Sequence, residues 1–197
     1  SAEPPASVFV GRSHQLQALW SAFERSVEAT QVVHVRGASG AGKSALLSQF
    51  AAELNARPDT QVLTGRCYEQ EFIPFKAVDS LMDSLTRHLM QWPPEDLAKL
   101  STPDAVLLAR LFPVLGRVFT QDGALPDAGD LQSIRQRAFV AVRELLRELA
   151  QRTRLVLFID DLQWGDVDSC ALIAEVLRMP EAPRLLLVLA YRDEHVE

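Results

Sequence analysis

The apolar positions of the chain form four short runs that predict the strands of a parallel sheet. The first covers 32–35, just before a glycine-rich turn, and the second covers 61–64 and ends at a glycine. The third, 155–159, and the fourth, 185–189, are apolar at every position rather than alternating. Such continuous runs are typical of central parallel strands whose two faces are both covered by helices.

Helical spacing of apolar residues predicts the elements around these strands. One amphipathic helix covers about 16–27, an Ala- and Leu-rich helix covers 45–56 after the glycine-rich turn, and a third covers 170–178 between the last two strands. A long helix covers about 131–152. We expect it to bury one face, formed by Leu131, Ile134, Ala138, Val142, Leu145 and Leu149.

The stretch from about 66 to 130 predicts a helical insertion between the second and third strands. Apolar residues share a helix face over 75–89, a Pro-Pro pair then interrupts the pattern, and a shorter helix covers 105–112. The glycines and proline of 121–130 indicate a loop. The expected architecture is an α/β domain with helices on both sides of a parallel sheet.

Composition and charge narrow the class of protein. With 197 residues, 48% of them hydrophobic, the chain is long enough for one domain with a substantial core. A net charge of -6 argues against a broad electrostatic grip on nucleic acid or an anionic membrane. Cys67 and Cys170 form no C-x-x-C pair, so we expect neither a disulfide scaffold nor a zinc knuckle, and a reducing compartment suits them.

Targeting signals are not evident in the sequence. No run approaches the roughly 20 apolar residues that span a bilayer, and residues 1–6 lack the basic and apolar regions of a signal peptide. We therefore expect a cytoplasmic protein. The missing initial Met and the end of the chain soon after the fourth run predict a segment of a longer protein.

The glycine-rich turn matches a phosphate-binding pattern. Gly37, Gly42, Lys43 and Ser44 satisfy G-x-x-x-x-G-K-[ST] between a predicted strand and a predicted helix, as a P-loop requires. Glycines let backbone amides face the phosphates, the lysine reaches the β- and γ-phosphates, and the serine hydroxyl ligates Mg²⁺. The predicted nucleotide-binding residues of this turn are Gly37, Ala38, Ser39, Gly40, Ala41, Gly42, Lys43, Ser44 and Ala45.

Two carboxylates, Asp160 and Asp161, follow the third strand at the edge where a doubly wound sheet binds its ligand. Asp160 is predicted to orient Mg²⁺ together with Ser44, and Asp161 to position the attacking water. Arg192 follows the fourth strand, so it either senses the γ-phosphate at the same edge or is a solvated surface charge. The predicted catalytic residues are Lys43, Asp160, Asp161 and Arg192, and the predicted metal ligands are Ser44 and Asp160.

Other chemistries have less support. The stretch 37–41 lacks the final glycine of the G-x-S-x-G nucleophile elbow, and the histidines show no metal-binding spacing. The aromatic and Met residues at 72–92 fit a core stripe better than a base-stacking surface, because no cluster of basic residues is interleaved with them.

These motifs together resemble the STAND class of P-loop ATPases, which is close to the AAA+ proteins. The resemblance rests on VFVGR at 8–12, the P-loop at 37–44, LVLFIDDLQWGD at 155–166, and the strand and arginine at 185–192. The sequence Gly-Arg-Cys at 65–67 is similar to bacterial members. The match spans most of the chain and is weakest from about 90 to 130.

The resemblance implies further features of the fold and the site. It implies a three-layer P-loop NTPase domain over 8–197, preceded by a linker at 1–7, with strand order 2-3-4-1. The family's fifth strand and helical lid would follow beyond this sequence. The resemblance also assigns Val10, Gly11 and Arg12 to the nucleotide pocket, although Ser13 replaces the acidic residue that usually follows the arginine.

The function implied by the resemblance is a regulatory switch that binds ATP or ADP with Mg²⁺ and hydrolyses ATP slowly. Its partners would be fused helix-turn-helix, kinase, cyclase or helical-repeat domains, with oligomerisation in the ATP-bound state. One alternative is a module that holds nucleotide without hydrolysis and binds a partner through the insertion. A second is an origin-recognition-like AAA+ ATPase acting on DNA, and a third is a phosphotransferase, for which the sequence offers no acceptor site.

Overall fold

A computed structural model describes residues 12–69, 74–100, 102–119 and 131–193, and its centre is a parallel sheet of four strands. The strands are β1 Gln31–Arg36, β2 Thr60–Arg66, β3 Arg154–Asp160 and β4 Leu185–Tyr191. Their order is β1-β4-β3-β2, which confirms the predicted order 2-3-4-1. The two runs that are apolar at every position are the two central strands, as expected for strands covered on both faces.

Helices surround the sheet and fill the predicted insertion. They are α1 Ser13–Arg25, α2 Lys43–Asn55, α3 Lys76–Leu89, α4 Pro94–Leu100, α5 Pro103–Leu111, α6 Leu131–Arg152 and α7 Val167–Val176, with 3₁₀ turns at Pro113–Arg117 and Leu162–Trp164. No helix within the described ranges is long and apolar enough to cross a membrane. The predicted linker at 1–7 and loop at 121–130 lie outside the described residues.

Several element boundaries differ from the sequence-based expectation. The second strand continues through Gly65 to Arg66, because that strand pairs with β3 as far as Asp160. Helix α7 begins at Val167, since the side chain of Asp166 caps its first turn. Helix α4 was not predicted, and it begins at Pro94, a position where proline is tolerated because the first turn needs no amide donor.

Hydrophobic residues form one cluster on each face of the sheet. On one face, α1 and α2 pack on alternate positions of the central strands; the cluster includes Leu19, Phe23, Leu46, Phe50, Val156, Phe158, Leu186 and Val188. On the other face, the insertion helices, α6 and α7 pack on Leu155, Leu157, Ile159, Leu185, Leu187 and Leu189. Residues next to each other along β3 thus belong to opposite clusters, which makes the domain three-layered.

The long helix α6 buries a wider face than predicted. Ala138, Val142, Leu145 and Leu149 are buried as expected, and Phe139, Ala141 and Leu146 are buried with them. Ile134 is only half-buried because it lies near the start of the helix, and the side chain of Leu131 lies outside the described part.

The parallel sheet brings the chemical motifs to one edge. The loop at 37–42 follows β1, Asp160 ends β3, Arg192 follows β4, and Arg66 ends β2. Carboxyl ends of parallel strands share one edge, where open α/β sheets bind their ligands.

Candidate functional site

The loop between β1 and α2 has a backbone conformation that favours glycine. Gly40 and Gly42 have φ angles of 73° and 76°, in the left-handed region that costs other residues conformational energy. Gly42 is the N-cap of α2, so the loop leads directly to the N-terminus of that helix. Unpaired amides and the helix dipole make such a terminus suited to an anion.

The side chain of Lys43 points back into this loop. Its Nζ donates hydrogen bonds to the carbonyl oxygens of Gly37 at 2.6 Å and Ala38 at 3.0 Å. The residue is only 9% exposed. The loop therefore surrounds a buried positive charge whose present partners are neutral carbonyls, and a phosphate would be a stronger partner for it.

The two predicted metal ligands contact each other. The Ser44 hydroxyl donates to Oδ2 of Asp160 at 3.1 Å, joining α2 to the end of β3. Among the described residues there is no cluster of three or more His, Cys, Asp or Glu side chains that could hold a metal. A hydroxyl and one carboxylate fit Mg²⁺, which usually takes its remaining oxygen ligands from water and substrate phosphates.

Asp161 is held from two sides. Its Oδ2 accepts hydrogen bonds from Nε and Nη2 of Arg66 at 3.1 and 2.9 Å, and its Oδ1 accepts one from Nε2 of Gln163 at 3.0 Å. Its backbone has a positive φ of 56°, and its amide donates to Asp160 Oδ1. The hydrogen bond to Asp161 raises the pKa of Arg66 above its ordinary value, which keeps this partner charged.

Arg192 lies at the same edge of the sheet, where its backbone amide forms a hydrogen bond. Its amide donates to Oε1 of Gln163 at 3.1 Å, so Gln163 lies between Asp161 and the end of β4. Within the described ranges, the Arg192 side chain forms no ion pair. Its predicted contact with a γ-phosphate stays a prediction.

Arg12 lies beside the loop between β1 and α2. A Cβ built on Gly42 would be 3.7 Å from Nη2 of Arg12, so the guanidinium lies next to Gly42, at the start of α2. The assignment of Arg12 to the nucleotide pocket stays a prediction. Val10 and Gly11 lie outside the described residues.

A cavity of about 430 Å³ adjoins Ser44 and Asp160. It lies between α2, β2 and α3, and its other lining residues include Ser48, Thr64, Arg66 and Ser80. Several of these side chains are exposed, so the cavity connects the site with solvent.

Sequence reasoning did not identify three residues that shape this edge: Arg66, Gln163 and Asp166. Asp166 accepts hydrogen bonds from the amides of Phe75 and Ser169, which ties the start of α3 to the segment after β3. The only sequence signals were the Gly-Arg-Cys triplet and the LQWGD stretch, in which no role could be assigned without knowing the partners.

Similarity to known proteins is found with one protein family and with solved structures. A family model described as "AAA ATPase domain" matches residues 8–189. No curated protein sequence matched the chain. The similar solved structures include two Drosophila complexes, described as ORC bound to AT-rich DNA and Cdc6 and as ORC bound to GC-rich DNA and Cdc6.

These two solved chains are distant in sequence. The first is 15% identical with a TM-score of 0.42, and the match covers 98% of this chain and 54% of that one. The second is 16% identical with a TM-score of 0.38, covering 97% and 55% respectively. The chain thus spans about half the length of the solved chains it matches.

Proposed function

Because the chain belongs to the AAA ATPase domain family, we propose that it is a STAND-type regulatory module that binds ATP or ADP with Mg²⁺ and hydrolyses ATP slowly. The module comprises an ATPase core over 8–197 and passes its nucleotide state to output domains outside this sequence. Oligomerisation in the ATP-bound state and a cytoplasmic location belong to the same proposal.

One observation carries the proposal: the Ser44 hydroxyl and the Asp160 carboxylate meet at 3.1 Å although they are 116 residues apart in the chain. They do so beside the buried ammonium of Lys43, at the N-terminus of a helix. This arrangement combines a cation, two oxygen atoms that could bind a metal, and the amides of a helix N-terminus. A site for a nucleoside triphosphate with Mg²⁺ requires these three components.

Each side chain has a distinct part in the proposed hydrolysis. Lys43 gives up its hydrogen bonds to the loop carbonyls and donates to the β- and γ-phosphate oxygens instead. Its positive charge stabilises the negative charge that develops on these oxygens. Ser44 and Asp160 would hold Mg²⁺, which would supply positive charge to neutralise the phosphates. Asp161 orients the attacking water, and Arg192 contributes positive charge at the same edge.

The hydrogen bonds of Asp161 support slow turnover. Oδ2 already accepts two hydrogen bonds from Arg66 and Oδ1 accepts one from Gln163. Because a carboxylate accepts about four hydrogen bonds, these donors leave an attacking water about one acceptor position unless it displaces one of them. In the ion pair between Arg66 and Asp161, the Arg66 side chain is 56% exposed and the Asp161 side chain 16% exposed. Solvent at the arginine keeps the strength of the pair near that of surface ion pairs, about 0.2–1 kcal/mol. The competition therefore slows hydrolysis without preventing it.

Calorimetric titration with ATP and ADP in Mg²⁺ tests nucleotide binding. A hydrogen bond to a charged group contributes about 1.5–3 kcal/mol, so Lys43→Ala should raise the Kd roughly 10- to 150-fold. Lys99→Ala is the matched control, because that exposed lysine pairs with Asp96 on α4 and should leave the Kd unchanged. Absence of nucleotide binding by the parent protein would contradict the proposal.

Phosphate release measures the hydrolysis step. We expect the parent to turn over ATP at less than about 1 s⁻¹, the low end of typical enzyme rates. Asp161→Asn should reduce this rate while binding is retained. Tight binding of ATP with no release of phosphate would instead favour a non-hydrolysing nucleotide module.

A further inference from the structure

We propose that Gln163 is a positioning residue that links the orientation of Asp161 to the position of the end of β4. The inference rests on the function proposed above, in which Asp161 orients the attacking water. Gln163 lies in the 3₁₀ turn Leu162–Trp164, two residues after Asp161, and its side chain crosses from that turn to the amide of Arg192.

The chemistry of the two partners determines which way the Gln163 amide faces. A carboxylate only accepts hydrogen bonds and a backbone amide only donates them. The NH₂ group must therefore face Asp161 Oδ1, at 3.0 Å, and the carbonyl oxygen must face the Arg192 amide, at 3.1 Å. A flipped side chain would lose both hydrogen bonds, so this arrangement has one orientation.

The end of β4 needs such a partner. The register between β3 and β4 ends at Ile159 and Leu189, whereas β4 continues to Tyr191 alongside β1. The amide of Arg192 follows directly after these last paired residues and takes a side chain, not a strand, as its acceptor. Gln163 therefore extends the connection between the two central strands beyond their ladder.

The opposite side of Asp161 is held by β2. Arg66, the last residue of that strand, donates twice to Oδ2, while Gln163 donates to Oδ1. The carboxylate is thus oriented between β2 and the end of β4. A displacement of the β4 end, which carries Arg192, shifts the Gln163 amide and with it the oxygen that faces the attacking water.

Hydrolysis rates of Gln163 variants test this role. Gln163→Leu should lower kcat about 10-fold, since small misplacements at a reacting centre cost up to 10²-fold, and the Kd for ATP should stay within about 2-fold. Gln163→Glu should lower kcat at least as much. The glutamate has the size of glutamine and can still accept from the Arg192 amide, but it places a second carboxylate, which cannot donate, next to Asp161. Gln49→Leu is the matched control, since Gln49 donates to Glu53 at the same 3.0 Å on α2.

A double-mutant cycle separates positioning from general support of the fold. If Gln163 acts through Asp161, Gln163→Leu should cost the Asp161→Asn protein less than about 2-fold in rate. An equal loss in both backgrounds, or a kcat of Gln163→Leu equal to that of the parent, would overturn the proposal.

Amide hydrogen exchange at Arg192, resolved by NMR, tests the bridge independently of hydrolysis. Gln163→Leu should speed exchange of this amide at least about 10-fold, and Asp161→Ala should speed it as well, because the Gln163 side chain then loses its second anchor. Gln49→Leu should not change it. Equal exchange rates of the Arg192 amide in the parent and in Gln163→Leu would overturn the role proposed for Gln163, even if the parent hydrolyses ATP. Failure of the parent to hydrolyse ATP would contradict only the proposed function.

Discussion

Replacement of Asp166 by alanine should destabilise the domain by removing the anchor of two helices. Oδ1 of Asp166 accepts from the amide of Phe75 at 3.1 Å and from the amide of Ser169 at 2.9 Å, and Oδ2 accepts from the Ser169 hydroxyl at 2.6 Å. The first contact fixes the start of α3 and the others cap α7. The perturbation therefore acts on both the insertion and the segment that follows β3.

The expected magnitude follows from these contacts. Loss of a helix N-cap costs about 0.5–2 kcal/mol. Leaving the half-buried amide of Phe75 without its acceptor adds about 1–3 kcal/mol. We therefore expect Asp166→Ala to lower the free energy of unfolding by about 1.5–5 kcal/mol.

Urea unfolding followed by circular dichroism measures this difference. Asp166→Asn keeps an acceptor oxygen and should lose less than about 1 kcal/mol. Asp168→Ala, on α7, removes a partly exposed ion pair with Arg135 on α6 and should also cost less than about 1 kcal/mol. A free energy of unfolding for Asp166→Ala within about 0.5 kcal/mol of the parent would refute the reasoning.

The same residue predicts a pH dependence. Burial opposes ionisation of Asp166, but hydrogen bonds from Ser169 and Phe75 outweigh it and hold the pKa below its ordinary value of 3.8. The pKa of Asp166 is lower in the folded state than in the unfolded state, where it is about 3.8. Ionised Asp166 therefore contributes its full stabilisation of the fold above about pH 3.8 and loses it as the pH falls through the folded-state pKa. The difference in stability between the parent and Asp166→Ala should shrink over that acidic range.

Two further predictions concern thiol reactivity and backbone packing. Burial raises the pKa of the Cys67 thiol to about 12, whereas Cys170 is exposed. Iodoacetamide at pH 8 should therefore modify Cys170 in the native protein and Cys67 only after urea unfolds it, as measured by peptide mass mapping. Equal labelling of the two cysteines in the native protein would contradict this prediction. A Cβ on Gly65 would lie 3.0 Å from the carbonyl oxygen of Ala77 in α3, so Gly65→Ala should cost about 1–3 kcal/mol in thermal or urea unfolding. Gly116→Ala, whose Cβ would meet only an ordinary contact at 3.7 Å, should cost clearly less, and equal losses would refute the packing argument.

Most of the fold was predictable because its signals are local or periodic. Continuous apolar runs identified both central strands, and the glycine-rich turn lies between a strand and a helix as its pattern predicted. The strand order followed from the resemblance and was confirmed by the sheet. The start of α7 was missed because its cap is a single side chain, whose contact a periodicity argument does not detect.

The candidate site was predictable only in part. Ser44 and Asp160 each carried a motif, and a parallel sheet requires their strands to end at one edge, so their proximity could be anticipated. Arg66 and Gln163 carried no motif of their own. Their importance comes from partners 95 and 29 residues away in the chain, and hydrogen bonds depend on distances of a few tenths of an ångström that spacing does not specify.

The sequence by itself determined the layers of the domain and the chemistry available at one edge, because burial patterns and glycine requirements depend on each residue and its near neighbours. Only the tertiary structure decided how that chemistry is arranged. Asp161 is bound by Arg66 from β2 and by Gln163, which in turn holds the end of β4. This arrangement exists only once three separate strands lie side by side, since directional hydrogen bonds form between groups that folding, not sequence proximity, brings together.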